Sequence, residues 1–130
     1  MADHPNVVIF QSIYSAFTKG DMDALATFFD EGVSWHTPGR HSLARTYVGR
    51  VETFASFAEE FELTAGTYSV EVRDVLATDE HIVALLHATA DRSGKRLDQD
   101  YVIVFRMRHG KVDAAWEICK DQPAVDEFWS

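Results

Sequence analysis

The residues with most chemical potential lie near the two ends of the chain: His36, held between Trp35 and Thr37, and Glu117, in the run Trp116-Glu117-Ile118. A carboxylate in an apolar pocket has a raised pKa. It then suits the removal of a proton from carbon beside a carbonyl, the step shared by ring closure, isomerisation and dehydration. His36 could shuttle a proton or hold a substrate oxygen, although a backbone-bonded structural histidine fits the same position. In a regular strand Trp35 and His36 face opposite ways, so only one of them can line a given pocket. Thr37 can donate a hydrogen bond but is a poor acceptor of a carbon-bound proton.

Further polar groups come from Tyr14 and from one strand face carrying Gln99, Tyr101, Ile103 and Phe105. Tyr14, Gln99 and Tyr101 would orient a ligand in a mostly apolar pocket, with Trp35, Phe54 and Phe57 as its walls. Asp98 and Asp100 alternate with Gln99 and Tyr101 and are expected to point outward. His87, on a central strand, reads as a satisfied core histidine, and Cys119 as an inert core thiol. The separations of His36, His87 and Glu117 match no metal-ligand motif, so no metal is expected. The segment from Pro38 to Arg50 carries Arg40, His41, Arg45 and Arg50, either a basic flap over the pocket or a solvated loop.

These groups need elements to hold them. Phe10, Ile13, Tyr14 and Phe17 recur at helical spacing, with Gly20 as the stop. Asp21 can cap a second short helix bearing Leu25, Phe28 and Phe29 and ending at Gly32. A short strand, Val33 to Thr37, breaks at Pro38-Gly39, and Tyr47-Val48 allows another. Val51, Phe54, Phe57, Ala58 and Phe61 mark a third helix, closed by Gly66. The period then changes to two: strands are expected from Tyr68, over Ile82 to Thr89, over Leu97 to Arg108, and over Val112 to Cys119. Phe128 and Trp129 should fold back on the body in a helical turn. Helices followed by hairpin-linked strands define one α+β domain over residues 1–130, in which a curved antiparallel sheet covers three apolar helix stripes.

The face that Glu117 takes depends on the turn at His109-Gly110. A plain two-residue hairpin places Trp116 opposite Ile103. A three-residue loop with a left-handed Gly110 and a bulge places Glu117 there instead.

Bulk properties narrow the partners. The formal charge of −9 disfavours nucleic acid and anionic membranes. The start, MADHPNVVIFQ, has no signal-peptide pattern, and no apolar run approaches the roughly 20 residues of a membrane span. One cysteine rules out an internal disulfide and points to the reducing cytoplasm. Phosphate loops and nucleophile elbows are lacking, so no cofactor is expected.

Three stretches, YSAFTKGDMDALATFFDEGVSWHTPG, YVGRVETFASFAEEF and VFRMRHGKVDAAWEICKDQPAVDEFW, resemble the SnoaL-like branch of the nuclear-transport-factor-2-like superfamily. The resemblance implies a cone-shaped fold, a homodimer through the outer face of the sheet, and a pocket for a small apolar or aromatic ligand. Ketosteroid isomerases of this superfamily use a Tyr and two Asp at positions that here hold Ile13, Thr37 and Ile103, which argues against that reaction. SnoaL-type cyclases carry an acid–base carboxylate seven residues beyond the Gly of the last turn, where this chain has Glu117. Their partner His is replaced by Ile103. The resemblance favours the bulged form and implies cofactor-free acid–base chemistry on an apolar carbonyl compound, with a non-catalytic metabolite-binding domain as the alternative.

Overall fold

A computed structural model describes residues 3–130. Its first helix, α1 (Pro5–Lys19), turns Phe10, Ile13 and Ala16 inward and stops at Gly20, whose φ of 67° suits a left-handed cap. Asp21 caps α2 (Met22–Ala26) by accepting the Ala24 N–H at 3.1 Å. This second helix is shorter than its apolar spacing suggests. Phe29 and Gly32 belong to β1 (Phe29–Thr37), because strand pairing captures them: Phe29 registers with Val112, whose N–H donates to the Phe28 carbonyl at 2.8 Å. Sheet partners distant in sequence override the local helical pattern here.

The chain continues through β2 (Arg45–Val48), α3 (Arg50–Leu63), β3 (Ser69–Ala77), β4 (His81–Arg92), β5 (Lys95–Arg108), β6 (Lys111–Cys119) and α4 (Gln122–Trp129). Thus two strands precede α3 and a short helix closes the chain, the order expected from Val33–Thr37, Tyr47-Val48 and the Phe128-Trp129 turn. The six strands form one curved sheet in the order β2-β1-β6-β5-β4-β3, antiparallel except where β1 and β6 run parallel. Its inner face packs on the helices in one core that includes Phe10, Leu25, Trp35, Phe57, Leu86 and Phe105. The architecture is α+β, as expected. No helix of the described residues is long and apolar enough to cross a membrane.

The β5–β6 turn combines features of both alternatives. His109 and Gly110 form a two-residue turn with φ of 53° and 76°, and Met107 still pairs with Val112. The register then shifts, so that Arg106 pairs with Ala114 and Asp113 is the extra, bulged residue. Arg106 Nε donates to Asp113 Oδ1 at 2.7 Å, and Arg108 lies 3.5 Å from Oδ2, fixing the bulge. In consequence Ile103 pairs with Glu117, and Glu117 faces inward.

Candidate functional site

Two adjoining cavities lie under the sheet. The inner chamber, about 70 Å3, is walled by Phe10, Phe17, Trp35, Phe57, Ile103 and Phe105 among others. The second, about 40 Å3, is more polar and lies beneath Pro38, His41, Leu43 and the α4 residues Val125 and Trp129. Four residues line both: Glu60, Tyr68, Tyr101 and Glu117. They form the polar junction of an otherwise apolar interior.

Adjacent parallel strands position Glu117. Its Oε2 accepts the Trp35 indole N–H and the Thr37 hydroxyl, each at 2.9 Å. Trp35 and Thr37 are two apart on β1 and therefore share the inner face. Glu117 lines both cavities. Burial pushes its pKa up, and the two donors counteract that rise by favouring the carboxylate.

Glu60 comes from α3, three residues after buried Phe57 and seven after buried Thr53, so helical spacing directs it inward. Burial raises its pKa well above the ordinary carboxylate range. The charge of Glu117 adds to this, and interaction with the Tyr68 hydroxyl opposes it. Tyr68 and Tyr101 are both held well above the usual phenol range, first by burial. Among the described residues no Lys or Arg lines either cavity. His41 does line the second, but burial lowers its pKa and its Nδ1 accepts the Leu43 N–H at 3.1 Å.

Of the expected site residues, Glu117, Trp35, Thr37, Tyr101, Ile103, Phe57 and Tyr14 line one or both cavities. Tyr14 spends its hydroxyl proton on the Val70 carbonyl, at 2.5 Å, so it braces the wall. His36 is a correction. It lies on the opposite face of β1 from Trp35, stacks on Trp116 at 5.3 Å between centroids, and bonds to Thr46 Oγ1 at 2.8 Å. Strand alternation removes it from the chamber. Phe54 is a second correction: it packs edge-on against Phe29 behind the wall and lines neither cavity. Gln99 lines only the second cavity, where its Oε1 accepts the Asp121 N–H at 2.6 Å at the entry to α4.

The residues missed from sequence are Glu60 and Tyr68. The signal for Glu60 was its place on the Thr53–Phe57 face, obscured by the acidic neighbours Glu59 and Glu62, which are exposed. His87 also differs from expectation. It lies on the outer face, with Nδ1 2.6 Å from Asp100 and Nε2 2.5 Å from Asp98.

The segment from Pro38 to Arg50 is neither a basic flap nor a solvated loop. Its first part is clipped to α4: the Arg40 N–H donates to Asp126 Oδ1 at 3.1 Å and Gln122 Nε2 donates to the Pro38 carbonyl at 3.3 Å. Gly39 has a φ of 111°, which favours glycine, and a Cβ there would push aside the Asp126 and Gln122 side chains that make the clip. Arg45 lies over the Tyr47 ring and Arg50 donates to the Ala26 carbonyl, so neither faces the chamber. Cys119 lines the second cavity. Burial, aided by Glu117 and Asp126, pushes its thiol up to about 12, so it stays protonated and unreactive. No cluster of three His, Cys, Asp or Glu side chains among the described residues is arranged to hold a metal ion.

A helix-backed curved sheet of this kind is the nuclear-transport-factor-2-like, or cystatin-like, architecture seen in solved structures. The chain belongs to the SnoaL-like domain family, which matches residues 10–115. It is 30% identical, over the full length of both chains, to the uncharacterised protein Rv0034 of Mycobacterium tuberculosis. Among solved structures it is similar to Bal32a from a soil-derived mobile gene cassette, at 40% identity and a TM-score of 0.92 over 96% of each chain. The fold alone is shared with an NTF2-like protein of Burkholderia xenovorans, at 21% identity and a TM-score of 0.84 over 100% of this chain and 99% of that one. It is shared too with a Jannaschia protein described as a SnoaL-like polyketide cyclase, at 20% identity and a TM-score of 0.80 over 100% and 97%.

Proposed function

We propose that this protein is a cofactor-independent acid–base enzyme that acts on a neutral, apolar or aromatic carbonyl compound, by cyclisation, isomerisation or dehydration. The observation that carries the reading is Glu117: a carboxylate facing an apolar chamber, with one oxygen fixed by Trp35 and Thr37 and, among the described residues, no Lys or Arg lining that chamber. Burial makes it a stronger base than a surface glutamate, and the two donors keep it oriented and ionisable. Tyr101, on the neighbouring strand, is placed to donate to a substrate oxygen. The Jannaschia relative's description as a polyketide cyclase is compatible with such chemistry.

A homodimer formed through the outer face of the sheet accompanies this reading. Leu85 and Ile118 are exposed there and Trp116 is half-buried, an apolar centre with a charged rim. A single domain working in the cytoplasm is in keeping with one unpaired cysteine.

The test is α-proton exchange of a neutral ring ketone, 2-tetralone, in D2O, followed by NMR. The wild-type protein is expected to accelerate exchange, and Glu117→Gln to lose about 10²–10⁴-fold of that rate. Saturable binding of the ketone with no exchange would instead support a non-catalytic metabolite-binding domain. Ile103 favours that second reading, since opposite Glu117 it offers no proton-transferring partner.

A further inference from the structure

We propose that Glu60 is the second catalytic group of the chamber, the acid that gives a proton to the substrate oxygen while Glu117 takes one from carbon. The inference rests on the acid–base reading above and assigns the other half of the reaction.

The placement of Glu60 is the first argument. Its neighbours Glu59 and Glu62 point to water, whereas Glu60 lies on the buried face of α3 and lines both cavities, as Glu117 does. No salt bridge involves Glu60 among the described residues, and no Lys or Arg lines the cavities. A carboxyl there is expensive for the fold, and Gln or Leu would fill the position at lower cost. Unpaired inward carboxyls of this kind concentrate at functional sites.

The second argument is asymmetry. Glu117 has two hydrogen-bond donors on one oxygen, an environment that favours its ionised form. Glu60 has neither of these donors. Its polar neighbours are Tyr68, which interacts with Tyr101 in turn, and the negative charge of Glu117. The single proton of the pair therefore resides on Glu60, leaving one acid and one base on different walls of the chamber.

The chemistry balances without any added reagent. The Glu117 carboxylate removes a proton from the carbon beside the carbonyl, and the C–H electron pair becomes the new C=C bond. The carbonyl π pair moves to oxygen, which takes the proton of Glu60. The substrate is then an enol, Glu117 is protonated and Glu60 ionised. Collapse of the enol returns its O–H proton to Glu60, and Glu117 delivers its proton to the same carbon or to a conjugated one. The pair holds one proton throughout. Because it carries one net negative charge with no cation nearby, it selects neutral substrates and rejects carboxylates and phosphates.

Infrared spectroscopy of the carboxylic acid band, together with 2-tetralone exchange, tests this on Glu60→Gln and Glu117→Gln, with folding checked by circular dichroism. At neutral pH the wild-type protein should show one buried carboxylic acid band, which Glu117→Gln keeps and Glu60→Gln loses. Glu60→Gln should slow exchange about 10²-fold in kcat with KM little changed, and should abolish the alkaline limb of the pH profile. A band absent from the wild type, or one lost from Glu117→Gln and kept by Glu60→Gln, overturns the assignment. So does full exchange activity in Glu60→Gln when Glu117→Gln is inactive. Failure of the wild type to exchange the ketone is a different result: it removes the acid–base reading as a whole, and the role of Glu60 with it.

Discussion

Two pairs of carboxyl groups lie on opposite sides of one sheet and experience opposite electrostatics. Inside, Glu60 and Glu117 meet at an apolar chamber, and burial drives both pKa values up. Outside, Asp98 and Asp100 flank the His87 ring at 2.5 and 2.6 Å. There the hydrogen bond with Asp100, more than any other cause, raises the imidazole, and the same bond lowers Asp100. Residue type is nearly the same in the two places. What differs is the counter-charge and the water: the outer pair grips an imidazole at the surface and clamps β4 to β5, while the inner pair faces an apolar chamber lined by no Lys or Arg among the described residues.

The largest change to this contrast should come from Thr37→Val, which removes one of the two donors on Glu117 with little change of shape. A hydrogen bond to a charged group is worth about 1.5–3 kcal/mol, and its loss leaves the Glu117 carboxylate that much less stabilised. Loss of a donor pushes the Glu117 pKa further up. The acid limb of the rate profile should therefore move to higher pH, which a pH–rate series measures.

A smaller effect concerns stability. The folded-state pKa of Glu60 is raised, so its contribution is complete below the ordinary glutamate value of 4.5 and is lost as pH rises through the folded value. Glu60→Gln should cancel that decline, at most about 1.4 kcal/mol per pH unit for one proton. Denaturant titrations at several pH values should thus show the variant gaining on the wild type as pH increases. No gain would mean that Glu60 is ionised in the folded protein.

The smallest effect is expected on the outer face. His87 has a raised pKa, so its part of the clamp is complete below 6.5 and fades as pH rises through its folded value. Asp100 has a lowered pKa, so its part is complete above 3.8 and fades as pH falls through its folded value. His87→Gln should therefore lower the Tm slightly between these limits and leave ketone exchange unchanged. Loss of exchange in this variant would show that the two faces are not independent.

Much of this could be read from the chain because the local signals agree with the final packing. The spacing of Phe10, Ile13 and Phe17 is a helix face wherever it occurs, and the alternation from Leu97 to Arg108 requires an inner and an outer side. The limits lie where distant partners decide. Phe28-Phe29 fits a helix stripe until β6 supplies a strand partner. Glu117 could not be assigned a face from the turn alone, because the residue that sets its register is Asp113, bulged beyond an ordinary two-residue turn and fixed by Arg106 and Arg108. Glu60 was hidden for a different reason. A glutamate on a helix normally marks the wet side, and only its spacing from Thr53 and Phe57 opposed that assumption.

The position of β6 between β1 and β5 also governs how the protein comes into being. Trp35 and Glu117 are separated by 82 positions, and a ribosome delivers the first long before the second. Until β6 arrives, β2–β1 and β5–β4–β3 are two unconnected fragments with open edges, and the chamber has aromatic walls but lacks the Glu117 carboxylate. Pairing β6 with β1 closes a long loop, whose entropic cost the β1–β6 contacts must offset. The Glu117 carboxylate and the strand that joins the two halves of the sheet therefore arrive in the same step, and the chamber is complete only when the sheet is.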